Sequence, residues 1–511
     1  MRTIRHHVDL RASEQPAAPF LIAPETGAIM TYGELQRASR ALGGFLLAQG
    51  LQKGDKVALM LHNSYQTARL LIGVMYAGFT VAPLNLLSQR SQLEYVIDHS
   101  DTALIFTSEE LAPRVHEALG AVQREVKVVV LDPDAPRAID KPRSSVKKVG
   151  AAPHTDLELP LVHEEDDCLL MYTSGTTGKP KGVLHPHRSV VAGGEYTSAA
   201  HCLGGEDRVM CALPLYHING QIVTGVAPLV HGGSVVMPHR FSVSDYWRHV
   251  AEHHCTWINV VPTIIAYLLN APDPRDSGLD ISRVKFCRSA SAPLAPDLHR
   301  AFERKFGIGV IETFGMTETN APCFTNPYDA SKRKLGSPGQ AYGNEAKVID
   351  LHTGATQRVG VEGEIMLRGD NVMKCYYKDP ETTASTLQSD GWMRSGDVGY
   401  LDADGFVFVT GRIKELIIKG GENIAPREID EALLKHPAVL EAAAVGIADS
   451  LYGQEIMVCV VLKPGSRCTA DELKTFSQRE LGSYKAPKIL KIVDSLPKGP
   501  SGKVQRLKLL D

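Results

Sequence analysis

The stretch Tyr172-Thr173-Ser174-Gly175-Thr176-Thr177-Gly178-Lys179-Pro180-Lys181-Gly182 decides how this chain is read. It gathers hydroxyl side chains, glycines and two lysines into one loop, whose backbone amides and side-chain donors can surround a polyphosphate. A nucleotide is the expected ligand. The ordinary P-loop spacing does not apply, because G-x-x-x-x-G-K-[ST] requires a longer interval between its glycines and a hydroxyl after the lysine. Here Gly175 and Gly178 enclose only Thr176 and Thr177, and Pro180 follows Lys179. The apolar run Cys168-Leu169-Leu170-Met171-Tyr172 predicts a buried strand running into the loop.

Outward from that loop, strand and helix patterns alternate. Thr31 and Glu34 form a capping-box pair ahead of the helical stripe Leu35, Ala38, Leu42, Phe45 and Leu46. Residues 57–61 read as a buried strand, 68–76 as a helix, and 103–106 and 126–131 as further strands. That order predicts βαβ units on a parallel sheet. Residues 133–153, mixing proline and glycine with lysine and arginine, read as a solvated connection. After Gly411 the pattern changes: 428–434 and 470–481 read as helices, 440–447 and 456–462 as strands. The expected fold class is α/β, with a large N-terminal domain of parallel-type sheets and helices over residues 1–411 and a small α+β C-terminal domain over 412–511.

The chain's 511 residues exceed what one core usually fills, which also calls for more than one domain. A formal charge of -3 leaves no electrostatic footprint for nucleic acid or an anionic membrane. Nine cysteines without a C-x-x-C spacing suit buried thiols in a reducing, cytoplasmic setting. Met1-Arg2-Thr3-Ile4-Arg5-His6-His7 is basic, but no apolar segment follows to make a signal peptide, and no run is long enough for a membrane span.

Further motifs follow the loop in order: Pro214-Leu215-Tyr216-His217-Ile218-Asn219-Gly220, Thr313-Phe314-Gly315-Met316-Thr317-Glu318, and Gly391-Trp392-Met393-Arg394-Ser395-Gly396-Asp397. Then come Gly411-Arg412-Ile413-Lys414-Glu415, Gly420-Gly421-Glu422-Asn423-Ile424, and Pro497-Lys498-Gly499-Pro500-Ser501-Gly502-Lys503. Together they are similar to the signatures of the acyl-adenylate-forming superfamily, in its acyl-CoA synthetase branch, over nearly the whole chain. The resemblance implies an AMP-forming acid–thiol ligase that uses ATP, Mg2+ and CoA. It also implies that the C-terminal domain is a mobile lid and that Lys414 is its hinge. Homodimers are common in such enzymes.

A carboxylate attacking the α-phosphate of ATP brings two anions together, so positive charge and oriented donors must offset the repulsion. Lys503, on a Gly/Pro/Ser loop and reaching in on a flexible stem, is the expected catalytic cation. The resemblance gives Thr173, Ser174, Gly175, Thr176, Thr177, Gly178 and Lys181 to the phosphates. It gives Ser291 and Ala292, with Glu312, Thr313, Phe314 and Gly315, to the adenine. Glu318, beside Thr317, matches the metal-associated acid. Asp397 can accept ribose hydroxyls on its two oxygens, and Arg412 offers a forked donor to ribose or phosphate. Gly420 and Gly421 match the turn past which CoA's pantetheine threads. Thr173, His217 and Glu318 join Lys503 as catalytic candidates.

For the acid, the nearest resemblance is to oxalate-CoA ligases, through His217 and the Arg288-Ser289 pair. A tunnel for a fatty acid favours apolar walls. This chain presents His217, Asn219, Gln221, Asn259, Ser289 and Asn320 instead, so a small polar or dianionic acid such as oxalate or sulfoacetate is expected, with His217, Asn219 and Ser289 as its contacts. Because strand residues alternate faces, Arg288 should point away if Ser289 faces the acid, unless a bulge intervenes. The competing readings are a medium- or long-chain fatty acid ligase, an adenylation enzyme loading a carrier protein, and a luciferase-like oxygenase. The chain stops eight residues after Lys503, so an attached carrier domain is not expected.

Overall fold

A computed structural model describes residues 1–136, 158–173, 179–320, 322–498 and 504–510. Packing divides the chain into two compact units, 1–345 with 368–391, and 346–367 with 392–511. The larger unit holds two mixed sheets. One has seven strands and runs from Cys375–Tyr376 through Lys181–Pro186, Asp167–Thr173, Thr80–Pro83, Lys56–Met60 and Thr102–Thr107 to Lys127–Val130. The other has nine, with Val310–Phe314, Phe286–Ser289, Trp257–Val260 and Arg208–Cys211 adjacent and parallel at its centre.

Helix Tyr65–Ala77 touches strands of both sheets, and every one of its residues is buried. From Leu70 to Ala77 the helix is apolar or small on every side, which suits such a place, while Gln66, Thr67 and Arg69 of its first turns are buried polar residues. Ser64 caps its start by accepting from Thr67 N at 3.2 Å, and Gly78, with φ of 91°, ends it in the left-handed conformation that glycine adopts without strain. The expected capping box is formed as well: Thr31 and Glu34 bond each other's backbone at the start of helix Tyr32–Ala48.

The expected strands near residues 57, 103 and 126 lie parallel in the seven-stranded sheet. The connection at 133–153 falls mostly outside the described residues.

The smaller unit has a four-stranded sheet that includes Met393–Leu401 and Val407–Arg412, and a second sheet built on the hairpin Val439–Asp449 and Gly453–Leu462 with helices Pro426–Leu434 and Ala470–Lys485. Residues 346–367 and 392–411 thus pack with the C-terminal residues. A domain boundary at 411/412, drawn at the expected hinge, is a proposal. Among the described residues, no helix is long and apolar enough to cross a membrane, and the nine cysteines form no disulfide.

Candidate active site

The strand expected before the phosphate loop is Asp167–Thr173, and it pairs antiparallel with Lys181–Pro186. Thr173 and Lys181 are the last residues in register, so this hairpin holds them opposite each other at its mouth. Residues 174–178, with Ser174, Gly175, Thr176, Thr177 and Gly178, lie outside the described residues. The Lys181 ammonium sits 5.1 Å from the centre of the Tyr376 ring, and the Tyr376 hydroxyl donates to Glu318 Oε1 at 2.8 Å. One tyrosine therefore connects the phosphate hairpin to the expected metal acid, a link that sequence reasoning missed.

Glu318 lies in the short 3-10 turn Thr317–Thr319, with Asn320 behind it at φ of 48°. His185 braces that turn. Its Nε2 donates to the Thr317 carbonyl at 2.9 Å, and its Nδ1 accepts from Asn320 Nδ2 at 2.7 Å. Complete burial pushes His185 down to about 3, so the ring is neutral, as this pattern of one donor and one acceptor requires. The second oxygen of Glu318 makes no hydrogen bond among the described residues. A carboxylate with one oxygen anchored and one unbonded fits a divalent cation that takes its remaining ligands from water and phosphate. Elsewhere, His249, Glu252 and His253 bring their donor atoms within 4.8 Å of one another at helix Tyr246–Glu252.

The His217 motif turns directly into a helix. His217 N donates to the Pro214 carbonyl at 3.1 Å, and residues Asn219–Val226 wind as a π-helix, a rare form that is frequent at functional sites. Gly220 is required there by space: a β-carbon on it would meet the Pro214 carbonyl oxygen at 2.6 Å. Asn63, from a distant part of the chain, fixes the approach by donating to the Leu213 carbonyl and accepting from Leu215 N, both at 2.8 Å.

Asn219, at the start of the π-helix, meets the sheet. Its Oδ1 accepts from Arg288 Nη1 at 2.9 Å and from Asn259 Nδ2 at 3.1 Å, and its Nδ2 donates to Ser291 Oγ at 3.2 Å. Arg288 Nη1 also reaches Asn259 Oδ1 at 2.9 Å. Arg288 and Asn259 are register partners on adjacent parallel strands, so they share a face. The ladder through Phe286–Ser289 has no bulge, and alternation therefore puts Arg288, rather than Ser289, beside Asn219. The Ser289 hydroxyl is buried without a partner among the described residues. Beyond the strand, Ser291 holds a left-handed φ of 72°, a strained conformation of the kind that gathers at ligand sites. Ala292 follows it. Nearby, Glu312 is buried and accepts from Leu294 N at 3.2 Å, Thr313 is buried beside it, and Phe314 and Gly315 are half-buried.

In the smaller unit, Asp397 and Arg412 are opposite each other on antiparallel strands and form a two-point ion pair, Nε to Oδ1 at 2.8 Å and Nη2 to Oδ2 at 3.3 Å. The pair leaves further lone pairs on the two Asp397 oxygens that can accept. Lys414 lies exposed in the 3-10 turn Ile413–Glu415 right after the strand. Gly420 and Gly421 have φ of 58° and 87° and close a two-residue hairpin between Lys419 and Glu422, a turn that needs positive φ at both positions. Lys503 lies outside the described residues; just beyond it, Arg506 bonds Asp430 and the Ala444 carbonyl.

The AMP-binding enzyme family model matches residues 8–377, and that of the AMP-binding enzyme C-terminal domain matches 428–503. The chain belongs to the AMP-binding enzyme family. It is 52% identical to a sulfoacetate–CoA ligase of Cupriavidus necator, over 100% of this chain and 97% of that protein. It is 34% identical to an oxalate–CoA ligase of Arabidopsis thaliana, over 91% and 90%. Among solved structures it matches ATP-bound MatB from Rhodopseudomonas palustris with a TM-score of 0.89 at 29% identity, covering 98% of both chains. It also matches the o-succinylbenzoate CoA synthetase MenE of Bacillus subtilis in complex with its acyl-adenylate, with a TM-score of 0.85 at 30% identity over 99% and 98%. This AMP-binding enzyme is an AMP-forming CoA ligase, with ATP and CoA as its substrates.

Proposed function

We propose that this ligase activates a short, polar, doubly functional acid, sulfoacetate first among them, to its adenylate and passes the acyl group to CoA. The observation that carries the reading is the wall formed where the π-helix meets the sheet. Asn219, Asn259 and Arg288 are buried there in one hydrogen-bonded cluster, where a hydrocarbon tail would leave polar groups unmet. The identity to a protein named for sulfoacetate supports the same choice.

In this reading the acid's carboxylate attacks the α-phosphate and pyrophosphate leaves; the thiol of CoA then attacks the acyl carbon and AMP leaves. Thr173, Lys181 and the loop between them cradle the phosphates, and Lys503 offsets the charge of the attacking carboxylate. Ser291, Ala292 and residues 312–315 frame the adenine, Asp397 and Arg412 hold the ribose, and the Gly420–Gly421 turn guides pantetheine. His217 and Asn219 contact the acid, with Arg288 preferred to Ser289 by the alternation of its strand. Glu318, backed by Tyr376, is the residue that would hold Mg2+, which neutralises phosphate charge when bound. A reducing, cytoplasmic location is proposed from the free cysteines.

The test is pyrophosphate and AMP release across a panel of acids, with and without CoA. Sulfoacetate or another short dianionic acid should give a kcat/KM at least ~10-fold above octanoate and palmitate, since each unmet buried polar group costs roughly 1–3 kcal/mol. A preference for octanoate would overturn the acid while leaving the ligase in place.

A further inference from the structure

We infer that Arg288 is the receptor for the second, permanently anionic group of the acid, and so selects for charge at the far end of the substrate rather than for polarity alone. This rests on the short-acid ligase reading above and adds to it which residue discriminates, and by what property.

Arg288 is 1% exposed, and its Nη1 is satisfied by two neutral amide oxygens, those of Asn219 and Asn259. Neither Nε nor Nη2 makes a hydrogen bond among the described residues. No carboxylate pairs with it there, and His201, whose imidazole the Arg288 charge helps to hold low, is itself buried and neutral. Burial lowers Arg288 to about 9, which still leaves the guanidinium charged at neutral pH.

A buried cation without a counter-ion is an unusual construction, because desolvation of one charge costs several kcal/mol unless an anion or full hydrogen bonding repays it. Surface arginines of this protein find carboxylates, as Arg394 does with Glu364 and Arg412 with Asp397. Arg288 is given amides instead. Asparagine is the side chain that orients a guanidinium without neutralising it, so the cluster keeps both the direction and the charge of the fork.

The location suits a ligand. Arg288 and Asn259 lie near the carboxyl ends of adjacent parallel strands, where open α/β sheets bind ligands, and Asn219 links them to Ser291 at the mouth. An anion with two or more oxygens in a plane matches the free side of the fork, and a sulfonate remains ionised at any working pH.

The discriminating pair is sulfoacetate and methylsulfonylacetate, which keeps the two sulfonyl oxygens and the shape but replaces the charged oxygen by methyl. CoA-dependent AMP release is measured for the full chain and for Arg288→Met and Arg288→Lys. The unaltered protein should favour sulfoacetate by at least ~100-fold in kcat/KM, in the range by which buried groups reject a partner that leaves them unpaired. Arg288→Met should collapse that ratio below ~10-fold, and Arg288→Lys should retain part of it. An ATP-induced rise in melting temperature shows that each variant is folded, and the comparison of the two acids on the unaltered protein stands without any variant. Equal rates on the two acids, or a preference undiminished in a folded Arg288→Met, would overturn the inference alone. AMP release with octanoate and with neither short acid would overturn the short-acid reading, and this inference with it.

Discussion

Two anions must meet when a carboxylate attacks ATP, and at the residue scale Lys503 is the proposed answer. Lys503→Ala should lower adenylation at least ~100-fold, the usual scale for removing one preorganised donor from a transition state. Thioester formation from supplied acyl-adenylate should persist if, as proposed, the lid carries Lys503 away for that step. Equal losses in both half-reactions would sink the two-pose assignment. Tyr376 offers a second handle. Its hydroxyl fixes one oxygen of Glu318 at 2.8 Å while its ring lies under Lys181, so Tyr376→Phe removes the bond and spares the ring. Groups that orient a metal-binding residue are typically worth 10–100-fold in metal affinity. The Mg2+ concentration for half-maximal pyrophosphate release should rise at least ~10-fold in this variant, and an unchanged Mg2+ curve would remove Tyr376 from the metal's support.

At the scale of elements, the glycine inside the His217 motif and the turn at Lys414 each make one claim. A β-carbon at position 220 would sit 2.6 Å from the Pro214 carbonyl oxygen, so the π-helix cannot approach the Leu213–Pro214 backbone with any larger residue. Gly220→Ala should destabilise the larger unit by about 1–3 kcal/mol, the usual cost of overpacking, and denaturant unfolding without a loss of stability would show that the approach is not needed. Lys414→Pro fixes φ near -65° in the turn Ile413–Glu415. Pyrophosphate exchange should survive it and CoA transfer should fail, whereas normal overall turnover would refute the hinge. The elements themselves were legible where their causes are local: the Thr31–Glu34 box, the strand entering the phosphate loop and the two-glycine hairpin all depend on near neighbours. Asn63, His185 and Tyr376 were not, since their partners stand 150, 132 and 58 residues away and no spacing rule links them. Strand alternation was readable as a rule, but only the unbroken ladder through Phe286–Ser289 decides that Arg288 takes the side of Asn219.

Across the whole molecule, the same burial that shapes the active-site wall sets how the protein responds to acid. His185, His187 and His201 are all in the larger unit, and desolvation lowers each to about 3. Each would titrate near 6.5 in the unfolded chain, which therefore binds more protons than the native state below that pH. The contribution of these histidines to stability is complete above about pH 6.5 and is lost as pH falls toward about 3. At pH 5 the loss is roughly 2 kcal/mol for each ring, from a gap of about 1.5 units at 1.36 kcal/mol per unit. Asp430 acts in the opposite sense. Burial raises it to about 6 despite Arg506, so its term is present below about 3.8 and is lost as pH rises through about 6. Asp430 lies in the smaller unit and does not offset the three histidines of the larger one, where carboxylates held low, such as Asp245 at about 2, do not titrate until the medium is more acidic. Unfolding of the larger unit should therefore need distinctly less urea at pH 5 than at pH 7, at equal ionic strength and without ligands. An unchanged or higher midpoint at pH 5 would mean that these rings are protonated in the native state, and would remove the neutral His185 on which the bracing of the Thr317–Glu318 turn depends.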